Sequence, residues 1–325
     1  MRVLVTGSSG FIGPHLVHAL RARGDYVIGI DRDPPASIAP DVFVQGDLLD
    51  DGPLNEASQG IDYVAHLAAA RTDWGLPDAA YIRDNVRATR RLIEVGRQAG
   101  IRKWLVYSSV GVLGSSAEPL DDSAPIAPEG IYASSKAEAE ALFEQLGADD
   151  PLAEITILRP SAVYGPGNPP NTNVYRLLDA IHRRRFVMIG DGQNIKTVSY
   201  LPNLIEVTMF LADRMSPGVH THIYVDTPAL TTRALVEHLH EALGKNAPRW
   251  HIPISLARSL AFSFDILARI INVDLPITSA RIQKFCRSTN FDGVSLREAG
   301  FSAPVATEDA LHATARWYLE TQTSA

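Results

Sequence analysis

Along the first half of the chain, short runs that are apolar at nearly every position alternate with longer stretches in which apolar residues recur every three or four positions. The short runs are RVLVTG (2–7), YVIGID (26–31), VFVQGD (42–47), IDYVAHLAA (61–69), KWLVYSS (103–109) and EITILRPSAVYG (154–165). A strand with apolar residues on both sides needs cover on both faces, which is the condition of a parallel sheet flanked by helices. The helical stretches are 11–24, 78–100 and the alanine-rich GIYASSKAEAEALF (130–143). Gly24 and Gly100 close the first two, as helix-ending glycines do. The pattern predicts an α/β fold with a doubly wound parallel sheet. GPGNPPNTN (165–173) ends the alternation with turn residues, and beyond it mixed helices and short strands predict a smaller C-terminal α/β lobe. Runs such as KTVSYL (196–201) and HTHIYVD (220–226) are expected to return, within 196–226, to the large sheet. That leaves 1–165 as the first domain, and 166–195 with 227–325 as the lobe. SLARSLAFSFDILARIINV (255–273) is apolar nearly all round but broken by Arg258, Asp265 and Arg269. It predicts a helix buried in lobe packing, with contact to a membrane surface as the alternative.

Composition narrows the classes. The 325 residues carry a net charge of −7, so no basic surface points to nucleic acid. A single cysteine, Cys286, excludes an internal disulfide framework and fits a reducing compartment. The N-terminal apolar run is too short for a signal peptide, and no run of about 18 apolar residues is present to span a membrane. The expected location is the cytoplasm. No metal ligands are assigned.

The first strand runs directly into TGSSGFIG, with glycines at 7, 10 and 13, and then into a helix. Gly7 permits the tight turn, Gly10 lets backbone approach a pyrophosphate, and Gly13 lets the helix lie close to the sheet. Ser9, Phe11 and Ile12 complete the loop, and Pro14 sits where a missing N–H costs least. In this context, strand before and helix after, the motif predicts a dinucleotide-binding Rossmann domain. Asp31 ends the second strand, where a carboxylate accepts from ribose hydroxyls and repels a 2′-phosphate. NAD is therefore the expected cofactor. Arg32 follows directly and keeps NADP open, and Asp47 after the third strand suits the adenine edge.

Tyr132 and Lys136 lie four residues apart on one helical face. The spacing alone is compatible with a packed ring beside a solvated lysine or with a proton-transfer pair.

TGSSGFIG, GDLLD, HLAA, DNVRAT, the serine pair before a tyrosine-x-x-x-lysine helix, and LRPSAVYGPG occur in the order seen in extended short-chain dehydrogenases/reductases. The chain resembles that family over roughly residues 1–226, most of all its NAD-dependent, nucleotide-sugar-modifying epimerase/dehydratase type. The resemblance implies that Tyr132 exchanges the substrate proton, that Lys136 lowers the phenol's pKa and holds the nicotinamide ribose, and that Ser109 hydrogen-bonds the reacting oxygen. It implies cofactor contacts at Leu48, Leu67, Ala68 and Ala69, alongside the loop residues, Asp31, Arg32 and Asp47. His66 would lie along the cofactor or simply be a satisfied strand-end histidine. Asn85, Ser108 and Lys196 are the implied substrate contacts, and Arg159 is read as structural.

Two departures matter. The dehydratase branch has an acidic pair after the catalytic hydroxyl, and this chain has Val110 and Gly111, which disfavours elimination of water. Leu113 stands where the family usually has tyrosine, and Lys196 where many sugar-nucleotide enzymes have arginine. The implied activity is oxidation and reduction at a secondary alcohol of a nucleotide sugar, as epimerase or 4-keto reductase. The alternatives are a dehydrogenase of a steroid-like or flavonoid-like alcohol and a non-catalytic NAD-binding protein. The family also implies a homodimer through the helices at 78–99 and 132–146, with Ala133, Ala137 and Ala141 as a flat strip.

Overall fold

A computed structural model describes residues 1–71, 76–257, 259 and 279–323. The chain runs β1 (Arg2–Thr6), α1 (Gly13–Arg23), β2 (Tyr26–Asp31), β3 (Val42–Gln45), α2 (Asp51–Ala57) and β4 (Tyr63–His66). Next come α3 (Asp78–Tyr81), a π-helical segment (Ile82–Arg87), α4 (Ala88–Gln98), β5 (Lys103–Tyr107), α5 (Ile131–Asp149) and β6 (Glu154–Pro160). The remainder is β7 (Ala162–Tyr164), α6 (Asn173–His182), β8 (Ile195–Lys196), β9 (Val198–Tyr200), α7 (Leu201–Ala212), β10 (Gly218–Tyr224), β11 (Leu230–Thr231), α8 (Thr232–Ala242), α9 (Ser279–Cys286), α10 (Val294–Glu298) and α11 (Thr307–Thr323).

Seven strands form one parallel sheet in the order β10-β6-β5-β4-β1-β2-β3. The order reverses between β1 and β4, so a crevice opens at their carboxyl ends. One face is covered by α2, α4 and α5, through Leu54, Leu92, Ile93, Phe143 and Leu146 against Trp104, Val64 and Ile155. The other is covered by α1 and α7, through Leu16, Val17, Leu20, Leu201, Leu204 and Ile205. The continuous apolar strands are thus dry on both sides, as their pattern requires.

Of the segment 196–226, only Gly218–Tyr224 joins this sheet, as the edge strand beside β6. This corrects the expectation for the earlier part. Pro160 ends β6 and has no N–H to continue a ladder. The chain leaves the sheet there, and β7 pairs with β9 in a separate two-stranded ribbon. Ile195 and Lys196 pair with β11 instead. The smaller lobe has its own core, in which α6, α8 and α11 surround Tyr164, Tyr200 and Tyr318. The expected helix at 255–273 falls almost wholly outside the described residues. No described helix is long and apolar enough to cross a membrane.

At the crevice the backbones of β1 and β4 are locked by a directional chain of hydrogen bonds. Thr6 and His66 face each other in register as the last residues of their strands. The Ala68 N–H donates to Thr6 Oγ1 at 3.2 Å, and Thr6 Oγ1 lies 2.7 Å from His66 Nδ1. His66 Nε2 lies 2.9 Å from Thr89 Oγ1, whose own proton goes to the Asn85 carbonyl at 2.7 Å. Thr89 can therefore only accept, so His66 is the neutral Nε2–H tautomer, with Nδ1 accepting from Thr6. Burial, with a smaller push from Lys136, lowers the His66 pKa to about 3.

The consequence is a pH dependence of stability. In the unfolded chain His66 takes up a proton near pH 6.5, and in the native chain it does not until about 3. Its contribution is complete above pH 6.5 and falls away as pH drops below that, by at most about 1.4 kcal/mol per unit. Urea unfolding from pH 7.5 to 4.5 should show this slope. His66→Gln should be less stable at pH 7.5 and lose up to about one proton's worth of the dependence. An unchanged slope in the variant would remove His66 from the titration.

Candidate active site

The glycine loop is shaped by close backbone contacts. Gly7 has φ +69°, and a Cβ there would lie 2.8 Å from the Ala68 nitrogen. A Cβ on Gly13 would lie 2.3 Å from the Gly7 carbonyl oxygen. Both sites are closed to any side chain by backbone, which cannot swing aside. Gly10, in contrast, is exposed. The α1 N-terminus receives no side-chain cap and has no acidic residue in its first turn, so its N–H groups and positive dipole end are left for an anion. Ser9 Oγ is buried without a hydrogen-bond partner. These features fit the pyrophosphate of a dinucleotide.

Asp31 Oδ2 accepts from the Ser9 N–H at 2.9 Å, which ties the end of β2 to the loop and aims the carboxylate at the crevice. Arg32 is already engaged. Its guanidinium donates to Asp47 at 2.9 Å and to Asp84 at 2.5 Å, and Arg83 pairs with the same two carboxylates. The hydrogen bonds from Asp84 and Asp47 hold the Arg32 guanidinium charged well above the ordinary range. A 2′-phosphate would have to compete with two carboxylates for it. Asp47 also accepts from the Leu49 N–H at 3.0 Å, ending the turn into α2, while the Leu48 side chain is in the core. Phe11, Ile12, Leu67, Ala68 and Ala69 are half-buried around the loop and the end of β4.

The candidate reacting groups lie after β5 and on α5. Ser109 follows β5 in extended conformation and caps the short 3₁₀ turn Val110–Leu113, its Oγ accepting from the Gly111 N–H at 3.1 Å. With that bond accepted, its own proton is available to donate. Ser108, beside it, is buried with no partner for its hydroxyl. The turn holds Val110, Gly111, Val112 and Leu113 and no titratable group.

Tyr132 lies in the first turn of α5, half-buried, with its ring edge against Tyr81 at 6.4 Å between centroids. One turn on, Lys136 is buried, and its ammonium donates to the Tyr107 carbonyl at 2.5 Å. Burial lowers its pKa to about 8, with Glu140 holding it partly up. Glu140 lies a further turn along the same face and is itself buried in a two-pronged pair with Arg159, at 2.6 and 3.0 Å. Lys136, Glu140 and Arg159 thus set two positive charges against one negative, with Lys136 one helical turn along from Tyr132. The sequence reading missed Glu140. Its four-residue spacing from Lys136 was the available signal, but the spacing carries no meaning without the buried arginine of β6 opposite it.

Two expected substrate contacts sit differently. Asn85 is 1% exposed, and its amide is consumed within the chain. It receives the Ala70 N–H at 2.7 Å and donates to the Ala70 carbonyl at 3.1 Å and to Ser135 Oγ at 2.9 Å. That makes it a brace between the loop after β4 and α5, built from the π-helical segment where backbone geometry departs from α. Lys196 is on β8 in the smaller lobe and donates to the Arg287 carbonyl at 2.6 Å. Arg287 in turn pairs through its guanidinium with Glu129, two residues before α5, so the lobe is tied to the start of that helix.

Comparison with known proteins agrees with this geometry. Residues 3–225 match the model of the NAD dependent epimerase/dehydratase family. The chain is 32% identical, over 97% of its length and 94% of the relative's, to the N-acetyl-alpha-D-glucosaminyl-diphospho-ditrans,octacis-undecaprenol 4-epimerase of Escherichia coli O157:H7. It is 28% identical, over 96% and 95%, to a 4-hydroxy-2-methyl-3-oxo-4-farnesyl-3,4-dihydroquinoline-1-oxide ketoreductase of Stigmatella aurantiaca. Among solved structures, MoeE5 in complex with UDP-glucose and NAD superposes with a TM-score of 0.78 at 26% identity, over 99% of this chain and all of that one. With residues 3–225 matching the family model and the doubly wound sheet carrying its glycine loop at the switch point, the chain belongs to the NAD dependent epimerase/dehydratase family.

Proposed function

We propose that the protein is an NAD-dependent 4-epimerase of a sugar carried on a diphosphate. The observation that carries this reading is the buried, cationic line Lys136–Glu140–Arg159 ending one helical turn from a half-buried Tyr132, with Ser109 offering a hydroxyl proton. The α1 N-terminus, Gly7–Gly10 and Asp31 would hold the cofactor. NAD, when bound, supplies a hydride acceptor that becomes the donor for the return step. Tyr132 takes the proton of the sugar's secondary alcohol as its carbon is oxidised and gives it back to the ketone oxygen. An ordinary phenol, with a pKa of about 10, is a poor base near neutrality. A buried ammonium beside it stabilises the phenolate. Ser109 donates to the same oxygen and stabilises charge there. The Val110–Leu113 turn offers no acid or base for eliminating water, so the reaction stops at oxidation and reduction.

The diphosphate carrier is favoured as polyprenyl rather than nucleotide by one feature. Trp250, Ile254 and Leu256, within seven residues of one another in the chain, have 64%, 40% and 52% of their surface exposed, apolar side chains suited to a lipid tail or bilayer surface. The decisive experiment incubates the protein and NAD with UDP-N-acetylglucosamine and, separately, with polyprenyl-diphospho-N-acetylglucosamine in micelles, reading the C4 configuration by chromatography and mass spectrometry. The lipid-linked sugar should be converted. Conversion of the nucleotide sugar alone would move the carrier assignment, and conversion of neither would overturn the proposal. Tyr132→Phe should lower kcat by about 10²–10⁴-fold while NAD binding is retained.

Cofactor choice follows from Asp31 and the engaged Arg32. NAD should bind more tightly than NADP by calorimetry, by about tenfold or more, equivalent to about 1.4 kcal/mol. Asp31→Ser should narrow that gap. Equal binding of both cofactors by the unaltered protein would sink the assignment.

A homodimer is part of the same proposal. The Ala133–Ala137–Ala141 strip cannot be its whole surface, since Ala133 is buried and Ala137 packs near Val110 and Ile223. What is exposed is an α4 face with Arg90, Glu94 and Arg97 after Arg87 of the π segment, its Arg97 paired within the chain to Asp149, and an α5 face with Glu138, Ala141 and Glu144. A two-fold axis would set each α4 and α5 face against that of its copy. Light scattering should give twice the chain mass, with Ala141→Arg shifting it towards one chain.

A further inference from the structure

Away from the crevice, in the smaller lobe, α11 packs against α8. His238 on α8 and Glu308 and His312 on α11 each bring one donor atom within 4.8 Å of the other two. Glu308 and His312 are four residues apart and share one helical face. His238 Nδ1 and His312 Nε2 are both buried from solvent with no hydrogen-bond partner. Buried ring nitrogens without partners are uncommon, because each forfeits the hydrogen bond it would have in water. Glu308 makes no ion pair or side-chain hydrogen bond among the described residues. It is exposed and lies in the first turn of α11, so its carboxylate can turn inward over the two imidazoles.

We propose that His238, Glu308 and His312 form a binding site for a borderline-soft divalent cation of the zinc class, bridging α8 to the last helix. Two imidazoles and one carboxylate are a zinc ligand set that leaves a fourth position for water. Bonds of about 2.0–2.2 Å would bring the donors to about 3.3 Å from one another, a contraction within reach of small ring and carboxylate rotations. The neutral imidazoles and the ionised carboxylate would leave the bound ion with one net positive charge. Hard ions such as magnesium prefer oxygen donors and near-octahedral geometry, and the two nitrogens disfavour them. The sequence gives no hint of this site, because about 70 residues separate the histidine of α8 from the pair on α11. None of the three belongs to the proposed catalytic or cofactor set, so the site would act on the lobe's stability.

The test uses the full chain, free of any histidine tag and stripped with chelator. Calorimetric titration with zinc sulfate should show one equivalent bound per chain, and zinc should raise the thermal midpoint. Cobalt(II) should produce the visible absorption of a nitrogen- and oxygen-ligated four-coordinate ion. His312→Gln and His238→Gln should each weaken zinc binding by about tenfold or more and abolish the zinc-dependent rise in midpoint. Glu308→Gln, at an exposed position that leaves the core intact, should weaken binding while the zinc-free midpoint stays as in the unaltered chain. Absence of stoichiometric zinc binding, or the same affinity in His238→Gln and His312→Gln, would overturn the assignment.

Discussion

The site depends on how closely β1 and β4 approach at their carboxyl ends. Gly7 has no room for a side chain against the Ala68 backbone, and Thr6, His66 and Thr89 join the two strands and the helix behind them into one hydrogen-bonded chain. Every donor and acceptor in that chain is used, which is why a histidine can be buried there neutral. The chain ends on the Asn85 carbonyl, and the Asn85 side chain continues the linkage to Ala70 and to Ser135 on α5. The ends of β1 and β4 and the helix α5 are therefore parts of one polar scaffold that crosses the top of the sheet.

Charge on α5 is set by burial as much as by pairing. Lys136 alone in the interior would shed its proton readily, and its pKa of about 8 reflects that desolvation. Glu140 offsets part of it, but a buried carboxylate needs its own partner, and Arg159 of β6 supplies a two-pronged one. An arginine is suited to this place, since its planar fork satisfies both carboxylate oxygens at once.

The two lobes are joined by apolar and polar contacts together. The large sheet is covered by continuous apolar layers, and the smaller lobe meets the large domain through a buried cluster that gathers Val112, Leu113, Ile223 and Phe291, with Ala137 of α5 packed against it, and through the exposed Glu129–Arg287 pair. Ion pairs between exposed groups are weak individually, so the apolar cluster carries more of the junction.

Much of the large domain was legible in the chain itself. Strands such as Tyr26–Asp31 were readable because local sequence dictates a continuous apolar run, and Gly7 and Gly13 because a tight turn and a close helix leave glycine as the residue that fits. Tyr132 and Lys136 were legible as neighbours because helical spacing is local. Other features were decided only by the fold. That Asn85 is wholly engaged as a brace, that Arg32 is held by Asp47 and Asp84, and that Glu140 has Arg159 as its partner all depend on contacts between residues 15 to 52 positions apart. The path of 196–226 was decided there too, because leaving a sheet is a competition between edges that no single strand's pattern records. Local periodicity encodes which face a residue shows, and only packing determines what that face meets.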